Sequence, residues 1–303
     1  MTLEIDRVEL IVNPKAGNGR LKQQLPNIVT ILEDQFDTVN VFQTEKPGDA
    51  SDYIHSMKEE QPHLIIGGGG DGTIYEIINA LGPLEERPAF GIIPGGTCND
   101  FSRAIGISQN PLQAAEQICE KNFRSIDVGK CNHQYFLNFW GIGLITEVSS
   151  NINPKMKESF GRLSYYLSTL QTISQERHFQ LKIESDECAY EGNAAMVLIG
   201  NGPFTGGVRA FFPESNLEDG KLEVLVIESN RFQTFWDMLR AKVMDNVPNS
   251  EDILYFQSDH ISIETEPDQT IDCDGERDFE TPSTITVLPG HIKVAVGDYP
   301  VKP

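Results

Sequence analysis

Residues 65–73 read Ile65-Ile66-Gly67-Gly68-Gly69-Gly70-Asp71-Gly72-Thr73, with five glycines and one aspartate behind two isoleucines. Glycine loses more backbone freedom on folding than any other residue, so such a run needs a physical reason. The segment HLIIG at 63–67 has the apolar character of a buried strand, and Thr73–Leu81 has the spacing of a helix. The glycines therefore lie where a strand turns into a helix. In open α/β sheets that is the end at which ligands bind. Glycine lets backbone N–H groups approach a phosphate with no Cβ in the way, and the following helix presents its positive end. Asp71 is the odd member, because a carboxylate beside a phosphate is repelled unless a metal or a transferable proton stands between them. On this stretch alone two readings stay open: a phosphate and Mg²⁺ site, or a structural turn with Asp71 as the helix N-cap. A GxxxxGK[ST] phosphate loop is absent.

Outward from this turn, strands expected at 7–13, 39–43, 63–67 and 89–94 alternate with helices at 20–35, 49–60, 73–81 and 111–121. Alternation of this kind predicts a parallel sheet covered by helices on both faces. After Asp127 the pattern changes. Strand-like runs dominate: YFLNFWGIG, FQLKIES, AAMVLIGNG, LEVLVIE, HISIETE, STITVLPG and HIKVAVG. Two helical stretches, near 160–175 and 231–246, interrupt them. The second half is therefore expected to be a mainly antiparallel domain. No Pro/Ser linker separates the halves, and there is no internal repeat.

Composition narrows the classes. The chain has 303 residues, 39% hydrophobic and 23% charged, the balance of a globular protein with room for real cores. No run of 18 apolar residues occurs, so no transmembrane helix is expected. The first residues, MTLEIDRVELIVNP, begin acidic and lack a basic-then-apolar leader, which predicts a cytoplasmic protein. The net charge of −21 offers no basic footprint for nucleic acid. The five cysteines, Cys98, Cys119, Cys131, Cys188 and Cys273, are odd in number and form no CxxC pair, so reduced thiols are expected rather than disulfides or a zinc site.

Two further turns follow strands of the first half. Pro94-Gly95-Gly96-Thr97-Cys98-Asn99-Asp100 offers glycine, a hydroxyl, an amide and a carboxylate, and Asn13-Pro14-Lys15-Ala16-Gly17 carries a lysine. In a parallel sheet all three glycine-bearing turns would converge on one cleft, which suits a nucleoside triphosphate and its metal. Near the other end, IDCDGERD places acids at Asp272, Asp274 and Glu276, which would share one face if extended. The alternative is an acidic hairpin with Asp274-Gly275 as its turn.

NPKAG, GGGDGT, GGTCND and Asp274-Gly275-Glu276, in this order over most of the chain, resemble the signature set of the diacylglycerol kinase catalytic domain family, which includes bacterial soluble lipid kinases and sphingosine kinases. The resemblance implies an α/β nucleotide domain over 1–128 and a β-sandwich lipid-substrate domain over 129–290, with the tail 291–303 returning to the first. It implies that the active site lies between the two. It implies that Gly69, Gly70, Asp71, Gly72, Thr73, Ile74 and Tyr75 hold ATP phosphates, that Thr44 and Thr97 add nucleotide contacts, and that Asp71 and Asp100 organise Mg²⁺. Asn99 would fix the loop or the nucleotide. Lys15, beside Asn13 in the first turn, would meet phosphate or remain a solvated turn lysine. Glu276 would be the general base with Asp274 beside it, because transfer to a hydroxyl needs a proton acceptor. Asn216, Asp219 and Lys221 resemble a structural Mg²⁺ loop, with the Asp219 side chain and two backbone carbonyls as ligands. NGPFTGG at 201–207 resembles a backbone element lining the cleft, and Asp127 resembles an aspartate near the acceptor or acts as a cap. Tyr75 and Cys98 depart from the common family residues.

The reading is an ATP- and Mg²⁺-dependent kinase of a lipid hydroxyl, diacylglycerol-like, cytoplasmic and transiently peripheral at the inner membrane surface. Phe211 and Phe212 beside Arg209, and the stretch with Lys155, Lys157, Phe160 and Arg162, are candidate membrane contacts, against ordinary packing or a solvated face. Phe232, Phe235, Trp236 and Leu239 share one helical face and are expected in the core. Edge strands of the second domain could pair across a homodimer. The alternatives are a kinase of a soluble small molecule, since GGDGT also occurs in related NAD and phosphofructo-kinases, and a catalytically silent nucleotide-binding regulator.

Overall fold

The computed structural model describes residues 5–57, 62–146, 178–207, 209, 211–229 and 254–298. The chain divides into two compact units, Met1–Val128 with Leu288–Pro303, and Gly129–Val287. Each is described in turn.

The first unit opens with β1 (Arg7–Val12), a single 3-10 turn at Ala16–Gly19, and α1 (Arg20–Glu33). It continues through β2 (Thr38–Gln43), α2 (Asp49–Ser56), β3 (Leu64–Gly69), α3 (Asp71–Leu81), β4 (Ala89–Pro94), α4 (Asp100–Ala104) and α5 (Pro111–Cys119). β5 (Phe123–Cys131) carries the chain onward into the second unit. The strands lie in the order β4-β3-β1-β2, and every pair is parallel. Every residue of β3 and β4 is buried, as expected of parallel strands covered on both faces. α1 supplies part of that cover through Leu21, Leu25, Ile28 and Leu32, one apolar face at helical spacing. Asn110 caps α5 by accepting the Leu112 N–H, with Pro111 at the first helical position. The short helix α4 is an addition to the expected elements.

In the second unit the strands are β6 (Gln134–Phe136), β7 (Phe139–Gly143), β8 (Phe179–Ser185), β9 (Ala189–Gly200), β10 (Leu222–Glu228), β11 (Leu254–Ser258), β12 (His260–Glu266), β13 (Thr270–Cys273) and β14 (Glu276–Glu280). Among the described residues the ladders joining these strands are all antiparallel. Met196, Val197, Leu198 and Ile199 of β9 are buried consecutively, and β9 is flanked by β7, β8 and β10. The expected helices near 160–175 and 231–246 lie outside the described residues, as do Lys155, Lys157, Phe160, Arg162 and the Phe232 to Leu239 face.

Two expectations are corrected. YFLNFWGIG is not one strand: it breaks at Leu137-Asn138 between β6 and β7. Conversely, STITVLPG and HIKVAVG are not two strands but one, β15 (Ser283–Ala295), which passes through Pro289-Gly290. Gly290 takes φ 56°, a left-handed conformation that lets the strand continue past the proline. β15 begins in the second unit opposite β12 and ends in the first, where Val294 lies parallel to Phe90 of β4.

Candidate active site

At the carboxyl ends of β1, β3 and β4 the three glycine-bearing turns of the first unit pack directly on one another. A Cβ on Gly96 would sit 2.6 Å from the Gly70 Cα and 2.7 Å from Asn99 Oδ1, and a Cβ on Gly17 would sit 2.5 Å from the Gly95 carbonyl oxygen. Contacts that short do not occur, so the residues at 17 and 96 must be glycine for the turns to meet. Backbone bonds lock the arrangement: Gly95 N–H donates to the Gly69 carbonyl at 2.7 Å and Asn13 N–H to the Gly68 carbonyl at 2.8 Å. Asn13 Nδ2 reaches Thr73 Oγ1 at 3.4 Å.

Asp71 is the first residue of α3, and Gly70 holds the N-cap position, so the expected alternative of an Asp71 N-cap is not what forms. Its carboxylate points to another turn. Oδ2 accepts the Asn99 N–H at 2.9 Å and Oδ1 accepts the Asp100 N–H at 2.8 Å. Asn99 takes φ 53° and closes its own turn, accepting Gly96 N–H at 2.9 Å on Oδ1 and donating to the Gly96 carbonyl at 3.1 Å and to Gln109 Oε1 at 3.0 Å. The half-buried Asp71 thus orders the GGTCND turn through two charge-assisted bonds, and each oxygen keeps a further lone pair. The N–H groups of Asp71 and Gly72, at the start of α3, have no intrahelical acceptor. An anion placed there meets two donors and the positive helix end.

The remaining turn residues approach from β1 and β2. Thr44 is buried, its N–H donating to the Val12 carbonyl at 2.9 Å. Lys15 donates its N–H to Asn13 Oδ1 at 3.0 Å, while its ammonium reaches across to the Glu45 carbonyl at 2.9 Å. Asp49 Oδ2 accepts the N–H groups of Glu45 and Lys46 at 2.8 and 3.0 Å, and these two bonds hold its carboxyl below the usual aspartate range. Ile74 faces the core, Asp100 is buried, and Gly69, Gly70, Thr73, Tyr75 and Thr97 lie in or beside the turns. Asp127, buried in β5, is not a helix cap: its Oδ1 accepts the Gly290 N–H at 2.7 Å and ties β5 to the returning end of β15.

In the second unit the acids at 272, 274 and 276 do not lie on one extended face. Asp272 lies within β13, which ends at Cys273, Asp274-Gly275 forms a two-residue turn with φ 50° and 101°, and Glu276 starts β14. Two left-handed residues in succession are what the tightest hairpin requires, and the Asp-Gly pair supplies them. Asp274 turns its carboxylate inward and accepts three successive N–H groups, Leu137 at 2.6 Å, Asn138 at 3.0 Å and Phe139 at 2.9 Å. Asp272 is fully buried and accepts the Gly275 N–H at 2.9 Å and the Arg277 Nε at 3.1 Å. Burial first, and the Asp274 charge next, push the Cys273 thiol between them well above its ordinary range. Two of the three acids thus brace the turn, and Glu276 stands partly exposed at its exit.

The loop 216–221 also lies in this unit. Asn216 Oδ1 accepts the Glu218 N–H at 3.2 Å, and Asp219 Oδ1 accepts the Lys221 N–H at 3.0 Å. The Lys221 ammonium bonds Glu187 at 2.9 Å and Asp259 at 3.3 Å. The Asp219 carboxylate is exposed. In 201–207, Asn201 is buried and its Nδ2 donates to the Leu137 carbonyl at 2.9 Å, so this segment braces the β6–β7 break. Phe212 is not a surface contact: it is buried against Gly200, and Arg209 bonds the Pro213 carbonyl.

Hard oxygen donors are the right chemistry for Mg²⁺, and a half-buried Asp71 held rigid by two N–H groups keeps capacity for a cation. Among the described residues no group of three His, Cys, Asp or Glu is placed to hold a metal, so an ion here would share its shell with phosphate and water. Residues not anticipated from the sequence complete the site. Glu76 of α3 accepts the Ala50 and Ser51 N–H groups on Oε1 at 2.8 and 3.1 Å. Arg103 Nε closes the 98–103 turn on the Cys98 carbonyl at 2.7 Å. Neither has a local sequence signal, because each is defined by a partner that only folding supplies.

A parallel-sheet unit with glycine turns at its strand ends, followed by an antiparallel unit, is an arrangement suited to a nucleotide-using protein. Comparison with known proteins agrees. Residues 7–131 match the diacylglycerol kinase catalytic domain, and residues 141–296 match the YegS C-terminal NAD kinase beta sandwich-like domain. A Staphylococcus aureus (strain Newman) protein named "Putative lipid kinase" is 31% identical over 290 residues, covering 94% of this chain and 95% of that one. Two solved structures from Bacillus anthracis str. Sterne are similar throughout. One, described as "a putative diacylglycerol kinase", is 41% identical with TM-score 0.88 over 98% of this chain and 97% of that one. Another, described as "a diacylglycerol kinases", is 40% identical with TM-score 0.85 over 98% and 99%. The chain belongs to the diacylglycerol kinase catalytic domain family, a family of nucleotide-using phosphotransferases. Among the described residues no helix is long and apolar enough to cross a membrane.

Proposed function

We propose that the chain transfers the γ-phosphate of ATP to the hydroxyl of a diacylglycerol-like lipid in a Mg²⁺-dependent reaction. The observation that carries this reading is the packing of three glycine turns around Asp71, which supports a shared phosphate-binding role for their backbone donors and the start of α3. Gly69 to Thr73, Thr97 and Lys15 would bind and orient the triphosphate, with Thr44 beside them and Asn99 fixing the 95–100 turn. Mg²⁺, held by Asp71 and Asp100, would neutralise charge on the phosphates. Phosphoryl transfer asks little of the protein beyond position and charge, so ordered backbone donors are the main catalytic equipment. Glu276 would take the proton from the acceptor hydroxyl, and Asp274 would hold the Glu276 turn in place rather than touch substrate. A second Mg²⁺ at Asp219, with the carbonyls of Asn216 and Lys221, would have a structural role. In this reading the enzyme works in the cytoplasm and meets its lipid transiently at the inner membrane surface.

The test is the acceptor dependence of ATP turnover. With Mg-ATP, phosphorylation is expected to require vesicles that contain a lipid with a free hydroxyl. Equal turnover without vesicles, on a soluble alcohol, would replace the lipid with a small-molecule acceptor.

A further inference from the structure

We infer that Glu76 is a positioning residue for the nucleotide: it closes the N-terminus of α2 and thereby fixes the 44–49 turn against the turns around Asp71. The inference rests on the reading that these turns bind Mg-ATP. α2 begins after Gly48, which takes φ 92° and has no side chain to accept the first N–H groups of the helix. Helix starts leave such groups unsatisfied and carry positive partial charge. Two of them, on Ala50 and Ser51, are accepted by one oxygen of Glu76, which comes from α3 and lies 26 residues away in sequence from Ala50. A carboxylate there does what a Ser or Asp N-cap would do locally, but from the neighbouring helix.

Two consequences follow. First, α2 is closed to phosphate. Both α2 and α3 start beyond the carboxyl ends of parallel strands, β2 and β3, and each start could in principle attract an anion. Glu76 places a negative charge on the α2 start, whereas the first N–H groups of α3 stay available. Between these two helix starts, the triphosphate therefore has the one at α3 to choose. Second, Glu76 couples the elements. It joins α3, which begins with Asp71, to α2. Asp49 of α2 then holds the Glu45 and Lys46 N–H groups, and the Glu45 carbonyl holds the Lys15 ammonium. One run of bonds thus links the α3 turn to the 13–17 turn by way of Thr44's neighbours. Without Glu76 the α2 start gains a free positive end, and the 44–49 turn loses its anchor.

The test is calorimetric titration of the full-length chain with Mg-ATP, which needs no acceptor. Glu76→Ala is expected to weaken Kd about tenfold, and Glu76→Gln, which keeps one acceptor oxygen but loses the charge, about threefold. A graded loss with partial rescue by Gln is not the pattern of a purely structural defect, and melting without nucleotide is measured alongside. Should Glu76→Ala not fold, Glu76→Gln decides at unchanged Tm. A Kd for Glu76→Gln weakened severalfold supports the role. A Kd within twofold of wild type in the folded variants overturns it. Wild type that fails to bind Mg-ATP overturns both the inference and the nucleotide reading beneath it, so the two failures are told apart.

Discussion

The turn around Asp71 and the turn around Asp274 use one device for two ends. In both, an aspartate accepts backbone N–H groups from a segment distant in sequence: two from residues 99 and 100 for Asp71, three from residues 137 to 139 for Asp274. The difference is access. Asp71 is half-buried and surrounded by glycines whose missing side chains bring three turns together, whereas Asp274 is buried and its hairpin is braced further by Asp272, which accepts the Gly275 N–H. A carboxylate with two bonds and an open side keeps lone pairs for a cation. One with three bonds to backbone N–H groups has most of its lone pairs occupied by the segment it orders. Adjacent acids in a motif therefore need not share a role: Asp272 and Asp274 accept backbone N–H groups, while Glu276 lies partly exposed at the start of β14.

The largest effect should come at Glu276. Glu276→Gln is expected to lower kcat by roughly 10²- to 10⁴-fold, the usual worth of a positioned base, with Mg-ATP affinity retained. An intact rate would remove the base from the second unit and break the division of labour. Gly96→Ala probes the other side. Its Cβ would collide with the Gly70 backbone, so nucleotide affinity should fall on the order of a hundredfold and Tm should drop. Gly275→Ala is the matched control: its Cβ meets nothing within 4 Å, and the penalty is only that of a left-handed alanine, about 1–2 kcal/mol. If both substitutions cost the same, close approach is not what the glycine turns need.

Asp274→Ala should lower stability on the order of 3 kcal/mol, read by urea denaturation, because three buried N–H groups lose a charged acceptor at once. A mild loss of stability with complete loss of turnover would instead give Asp274 a direct part in the chemistry.

A smaller effect belongs to the base of the sheet. Burial, and then the Glu9 carboxylate that its hydroxyl bonds at 2.8 Å, push the Tyr53 phenol up to about 12. The folded form holds this proton more tightly than the unfolded form. Its stabilising contribution is therefore complete below pH 10 and lost as pH rises from about 10 to 12. Tyr53→Phe should flatten that part of the stability profile, and an unchanged alkaline slope would assign it to other groups.

How legible these regions were in the sequence follows from the range of their contacts. The turns of the first unit were readable because the chain alternates strand and helix, and a parallel sheet brings strand ends together whatever the side chains. The Asp274-Gly275 hairpin was readable as one of two alternatives, since Asp-Gly favours a tight turn. What could not be read was set by partners far along the chain. Glu76 serves a helix 26 residues earlier, and Asp274 serves a strand break 137 residues from it. Pro289-Gly290 looked like the end of a strand, and the left-handed Gly290, whose N–H bonds Asp127, carries β15 through. Phe212 was open between a membrane contact and ordinary packing, and the bare backbone of Gly200, which receives its ring, decides for packing.

The central claim is that one protein joins a nucleotide site built on Asp71 to a proton acceptor at Glu276 for transfer to a lipid. It is tested most directly with γ-labelled ATP, Mg²⁺ and a total lipid extract, using wild type, Asp71→Ala and Glu276→Gln in parallel. The account predicts a labelled lipid with wild type alone, and Mg-ATP binding preserved in Glu276→Gln but weakened in Asp71→Ala. Label in lipid that survives Glu276→Gln, or no labelled lipid from a wild-type protein that binds Mg-ATP, would contradict it.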